Sequence, residues 1–314
     1  MRSAVIVLML AVIIYIPVQA VEEGREIVII GTAHVFDIGE KIENRIIELR
    51  PDAVAVELDA DRLNTLMRSS DIQPGELVIG EVREPEKAEL NASETQILIV
   101  MSELQSRMAS SFQAQSGEDM LAGMEAAAAL GVPAYPIDKH ITTTMEGTLG
   151  GLLAPFGDLA EMSLRDSVLM LARCIESLAK IGLGIVSASM ARPSIAFRFI
   201  FGSVTDALVG LLLHPSISGV FFVLLSLPST MLTTLAIGSE IGIEGMREIY
   251  SLMPGIYNSM LADREAYMAD RISEIPGDRI VVITGAAHLT GLAREVERRE
   301  PGARVEAVTF LDLF

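Results

Sequence analysis

The stretch IVIIGTAHVFDIGEKI, residues 27–42, holds an apolar run that stops at Gly31-Thr32-Ala33-His34. Four consecutive Ile and Val residues closed by a glycine read as a short strand buried on both faces. Residues 39–50 (GEKIENRIIELR) then change period. Ile42, Ile46 and Leu49 fall on one helical face, and Pro51 closes that helix. The run AVAVE, residues 53–57, is a second strand. Strand, helix and strand in this order form a βαβ unit, whose two strands run parallel. The stretch IVVITGAAHLTGLAREV, residues 280–296, repeats the opening pattern: apolar run, glycine, histidine three residues on, then a helix. The chain has only four histidines, and two of them, His34 and His288, occupy this same setting.

The alternation continues between and after these blocks. Residues 71–81 are a loop containing Pro74 and Gly75, and residues 92–112 have helical character. GEDMLAGMEAAAALG, residues 117–131, is an Ala-rich helix stopped by Gly131, and VPAYPID, residues 132–138, is the next strand. Residues 246–274 are charged and helical, with Ala262, Ala266, Ala269 and Ile272 on one face. Strands over 278–285 and 303–310 flank a helix over 292–300. The expected fold class is therefore α/β, a mainly parallel sheet flanked by helices.

Between its two halves the texture changes. From residue 146 to 245 charges thin out, and 33 residues between Asp206 and Glu240 carry none apart from His214. Residues 218–238 are long enough to span a bilayer, with Pro228 as a kink. Residues 181–202 are apolar but contain Arg192 and Arg198, which suits an interfacial or snorkelling segment. The N-terminus has Arg2, an apolar run from Ala4 to Ile16 and a Val-x-Ala end at Ala20. That is the layout of a signal peptide, or of an anchor about 28 Å long. Either places the following domain on the extracytoplasmic side if Arg2 stays inside. The expected organisation is a signal or anchor over 1–20, a first α/β half over 21–145, an apolar helical insertion over 146–245 and a second half over 246–314.

Composition narrows the function classes. Half of the residues are apolar and the mean hydropathy is +0.44, which suits membrane association. The net charge is −18, so the chain repels phosphate backbones, and no nucleic acid is expected as a partner. A lone Cys174 excludes an intrachain disulfide or a cysteine zinc site.

Three metal-capable side chains fall at the C-terminal ends of parallel strands: His34, Glu57 and His288. Sites in open α/β sheets form at that edge. Gly31 and Gly285 either turn the chain off the strand or admit a close approach to the backbone. Two imidazoles and one carboxylate suit a divalent ion such as Zn, Mn, Co or Fe, with open positions for water. Metal-assisted hydrolysis is the reaction class such a set serves. Against this stand plainer readings: capping or loop histidines, and Glu57 in a solvated turn with Asp59 as N-cap. Arg264 is either a site arginine facing developing negative charge or half of a surface salt bridge with Glu265 or Asp270. Asp138 ends a strand and can cap it or contact the site. Glu118 and Asp119 complement a helix dipole or, alternatively, bind metal. His140 and His214 read as structural, and Asn91-Ala92-Ser93 is a glycosylation sequon of use only in a glycosylating host.

The ordered blocks GTAHV, RPDAVAVELDADRL, GEDMLAGMEAAAALGVPAYPIDKHITTT, DREAYMADRI and VVITGAAHLTGL resemble the TraB/PrgY pheromone-shutdown family. Tiki-type metalloproteases look like relatives of that family. The resemblance covers residues 25–145 and 246–300. It implies a fold of the ChaN/erythromycin-esterase kind, with His34, Glu57 and His288 as active-site residues and Arg264 as the family arginine. It further implies a membrane protein that degrades or sequesters a peptide or small secreted signal, the Tiki branch by divalent-metal-dependent peptidase chemistry. The chain has Asp138-Lys139 where the family has Asp-Arg. Its apolar tract lies between the halves rather than at the C-terminus. One site shared by His34 and His288 requires that this tract cross a membrane an even number of times.

Overall fold

A computed structural model describes residues 24–33, 38–70, 75–81, 117–145, 163–194 and 238–314, with isolated residues between them. The signal or anchor segment and nearly all of the helix expected at 92–112 and of the apolar tract 218–238 lie outside the described residues, as does His34.

Five strands form one parallel sheet: β1 (Glu26–Thr32), β2 (Ala53–Val56), β3 (Ala134–Pro136), β4 (Arg279–Gly285) and β5 (Arg304–Thr309). Their order is β3-β2-β4-β1-β5. The β1 and β2 of the opening unit are parallel, as their sequence predicts, but they are not neighbours. Strand β4, from the far end of the chain, is inserted between them, pairing Thr32 with Gly285 on one side and Val56 with Ile283 on the other. The two halves of the chain thus contribute strands to one sheet.

Strand position follows burial. The IVII and IVVI runs of β1 and β4 are fully buried and occupy interior places. The outermost β5 is only partly covered over most of its length. The other edge strand, β3, ends in Pro136, a residue sheets tolerate at edges. Alternate residues feed two cores. Val28, Ile30, Val54, Val56, Val281 and Ile283 meet helix α1 (Gly39–Leu49), α2 (Ala60–Ser69) and α3 (Glu118–Leu130). Ile27, Ile29, Ala53, Ala55, Ile280 and Val282 meet the helices from the second half.

Small residues set the helix-to-sheet distance. A methyl on Gly123 of α3 would press on Ile283 and Val56 at 3.1 and 3.4 Å, so the Ala-rich composition serves close packing. Gly131 ends this helix at φ 67°, its N–H bonding back to Ala127 and Ala128. Helix α1 ends on Arg50 at φ 49°, just ahead of Pro51.

After β3 and the short α4 (Ile141–Met145) come α5 (Leu164–Ala191), α6 (Glu240–Ser251), α7 (Pro254–Tyr257) and a π-helical turn (Asn258–Ala262) running into α8 (Asp263–Glu274). Helix α9 (Leu289–Arg299) follows β4. Among the described residues no helix is long and apolar enough to cross a membrane. Residues 181–191 of the expected interfacial segment form the C-terminal third of α5. That part packs tightly on α6, where a methyl on Gly184 would lie 2.5 Å from the Gly242 Cα. Helix α6 straddles residue 245 and buries Ile243 in the second core, so the α/β domain reaches back to include it.

Candidate functional site

The strand-end residues behave differently from a solvated turn. Glu57 follows β2 directly and is 6% exposed, while Asp59, two residues on, caps α2 by accepting from the Arg62 N–H at 2.9 Å. Of the plainer reading of VELDADR, the Asp59 N-cap is formed, but Glu57 is buried and not in a solvated turn. Glu57 Oε2 accepts from the Thr284 hydroxyl and from the Gly285 N–H, each at 2.6 Å. Because β4 is next to β2, the TG of TGAAH is the cradle of Glu57. Gly285 is extended, at φ −63°, and Gly31 lies inside β1 without a positive φ. Neither glycine is needed for a left-handed turn, and Gly31 instead allows a close approach of chain to chain. A methyl on Gly31 would meet Leu289 and Ala286 at 3.0–3.2 Å, where the chain leaving β4 passes over β1.

Arg264 is the hub. The π-helical turn leads straight into α8, and such turns recur at functional sites. The guanidinium, 9% exposed, donates from Nε and Nη2 to the two oxygens of Asp138 at 3.0 and 2.7 Å. Nη2 also donates to Glu57 Oε1 at 2.5 Å, and Nη1 lies 3.0 Å from His288 Nε2 and 3.5 Å from the Met260 carbonyl. These contacts occupy all five of its donor hydrogens. Burial works against the charge, but the Asp138 and Glu57 carboxylates outweigh it and raise the Arg264 pKa further above its ordinary value. The surface salt bridge is not formed: Asp270 pairs with Arg299 and Glu265 with Arg247.

His288, 4% exposed, ends the 3-10 turn Ala286–His288 after β4. Its Nε2 lies 3.5 Å from Glu57 Oε1, and its Nδ1 lies 3.2 Å from Glu265 Oε1. Burial alone would raise the Glu265 pKa; hydrogen bonds from His288 and Arg247 outweigh it and hold the carboxyl below the usual range. Asp138 also accepts from Arg62 at 3.3 Å, so Arg62 supplies a second guanidinium there while the Lys139 ammonium sits 5.9 Å from the Tyr267 ring centre. His140 is at this sheet edge too, its Nε2 3.2 Å from Asp61 and its Nδ1 accepting from the Thr142 N–H that opens α4. Asp119 is buried and accepts from the Thr32 hydroxyl, a role beyond complementing a helix dipole.

The structure thus joins Glu57, Arg264 and His288, places Asp138 in contact with Arg264, and adds Glu265, Arg247 and Thr284. Residue 34 is two positions past Thr32, which pairs with Gly285. Among the described residues no group of three or more His, Cys, Asp and Glu side chains could hold a metal ion. The two described members of the expected set do suit one by type. Their 3.5 Å separation also matches the ~3.4 Å between two ligand atoms bonded at about 2.1 Å to one tetrahedral ion. The carboxylate of Glu265 behind Nδ1 is the outer partner that metal-binding histidines use. The cation those two atoms share here is the Arg264 guanidinium, so an ion seated on both would replace its hydrogen bonds to them.

No family model matches the chain. The chain is 22% identical over 289 residues to a protein of Methanocaldococcus jannaschii described as uncharacterized protein MJ1365. The alignment takes in 91% of this chain and 57% of that protein, so the chain spans a little over half of the relative's length.

Proposed function

We propose that this protein is a membrane-associated, divalent-metal-dependent hydrolase of the TraB/Tiki type that acts on a peptide or small secreted signal. The observation that carries the reading is that Arg264 contacts both Glu57 and His288, at 2.5 and 3.0 Å, although the three come from separate parts of the chain. Glu57 and His288, with His34 from outside the described residues, would hold a Zn, Mn, Co or Fe ion. When bound, such an ion polarises a carbonyl and acidifies its water. The chain's own residues do the rest. Thr284 and Gly285 fix Glu57 through Oε2, leaving Oε1 toward the site. Arg264, released from His288 and Glu57, gains free N–H donors for negative charge developing on the substrate. Membrane association is supported by α5, which exposes Leu164, Val168, Leu171, Ile175, Leu178 and Val186, among others.

A second reading is a non-catalytic protein that binds or sequesters a peptide signal. It is favoured by the mutual satisfaction of the cluster, in which every Arg264 donor already has an acceptor. One experiment separates the two. The protein is incubated with a peptide library, with and without a chelator, and products are read by mass spectrometry. Chelator-sensitive cleavage that disappears in Glu57→Gln and His288→Ala supports the hydrolase. Peptide retention without cleavage refutes it in favour of sequestration.

A further inference from the structure

We propose that Glu265, held by Arg247, is the positioning residue of His288: it fixes the imidazole proton on Nδ1 and keeps Nε2 bare toward Glu57. This rests on the reading of His288 as a functional group, and it concerns residues that the strand-end pattern does not reach. Glu265 is buried, and its Oε1 faces His288 Nδ1 at 3.2 Å. An ionised carboxylate has no hydrogen to give, so Nδ1 must donate. On the other side of the ring Arg264 Nη1 stands 3.0 Å from Nε2 and has only hydrogens to offer. The opposite tautomer would set a lone pair against the carboxylate and an N–H against the guanidinium, two repulsive contacts in one buried place. Consecutive residues of α8 thus grip the two ring nitrogens.

The carboxylate is itself held. Arg247 from α6 takes Glu265 in a fork, Nη1 to Oε1 and Nη2 to Oε2, the latter at 2.9 Å. The same guanidinium donates to the carbonyl of Ala287, the residue before His288, at 3.2 Å, and to the Tyr257 hydroxyl at 3.2 Å. Arg247 therefore fixes both the partner of the imidazole and the backbone that carries it. The fork needs space, which Gly291 provides: a methyl there would collide with Glu265 Oε2 and Arg247 Nη2. The glycine three residues past His288 in HLTGL is the vacancy into which the Arg247–Glu265 pair fits. The buried positive charge of Arg247 is matched by one carboxylate, which removes the cost of burying either alone.

The test reads the tautomer directly, without an activity. The full chain is labelled with 15N-imidazole histidine, and His288 is assigned among the four histidines by its loss in His288→Gln. In the wild type the neutral His288 ring shows a protonated Nδ1 and a bare Nε2. Glu265→Ala removes the acceptor and moves the ratio of the two tautomers toward Nε2–H by about tenfold or more, as loss of a charged hydrogen bond requires. Glu265→Gln, whose amide oxygen can still accept, keeps the Nδ1–H form. An unchanged tautomer ratio in Glu265→Ala overturns the proposal. Should Glu265→Ala not fold, Gly291→Ala gives the same readout by displacing the fork, and an unchanged ratio there overturns the proposal equally. Because no turnover is measured, failure of the hydrolase reading leaves this result intact, and the reverse also holds.

Discussion

Replacing Arg264 by methionine is the sharpest perturbation of this cluster. The change keeps the apolar stem and deletes the one group that contacts Asp138, Glu57 and His288 together. Asp138 retains Arg62 at 3.3 Å, and Glu57 retains Thr284 and Gly285 at 2.6 Å, so neither carboxylate is left wholly unserved. Each nonetheless loses its closest cation in a buried place. Removing one member of a buried ion pair costs about 3–5 kcal/mol. For a domain of this size about 2–4 °C is lost per kcal/mol, so the melting temperature should fall by about 6–20 °C. Thermal denaturation followed by circular dichroism measures this. A second comparison controls for mere loss of packing. In the background of Glu57→Gln the same Arg264→Met change should cost less, because one of the stranded charges is already gone. The reasoning is refuted if Arg264→Met melts within about 2 °C of the wild type, or if its cost is the same with and without the Glu57→Gln change.

Three further outcomes follow from the same contacts. Glu265 has a lowered folded-state pKa, so its contribution to stability is complete above the ordinary carboxylate pKa and is lost as pH falls through the folded value. Melting temperatures from pH 7 downward should therefore show a shallower acid-side loss in Glu265→Gln than in the wild type; parallel curves would contradict this. Thr284→Val deletes a buried donor to Glu57 Oε2 and should cost about 1–3 kcal/mol in urea denaturation, with a shift of midpoint and not of slope. Gly31→Val forces side-chain atoms into the 3.0–3.2 Å gap against Leu289 and Ala286 and should destabilise by about 1–3 kcal/mol, whereas a neutral result would show that the turn after β4 is free to move.

How far the site was readable in advance depended on which interactions leave a local pattern. Glu57 and His288 announce themselves because a polar side chain at the end of an apolar strand interrupts a strict period. The strands themselves were legible for the same reason. Strand order was not: periodicity says which residues face a core, but not that β4 would enter between β1 and β2. Arg264 and Glu265 illustrate a second limit. Side by side in sequence they suggest a surface pair, yet neighbours on a helix point about 100° apart. The two therefore reach opposite nitrogens of one imidazole instead of each other. Arg247 leaves no local pattern: it sits just past the apolar tract, on α6, which packs into the second core through Ile243. Gly291 carries no local mark of its use, which appears only with Arg247 and Glu265 placed beside it. The acidic residues of α3 read as partners of the helix dipole, whereas Asp119 is bonded to Thr32 two positions before His34.

Glu57 and His288, from the two halves of the chain, are proposed to share one ion-binding hydrolytic site. Calorimetric titration of Mn2+ into the wild type, Glu57→Gln and His288→Ala proteins tests it most directly. One ion should bind per chain, with binding lost in either single variant, since each removes a proposed ligand of the same ion. Binding that survives both substitutions unchanged, or no binding by the wild type, would contradict it.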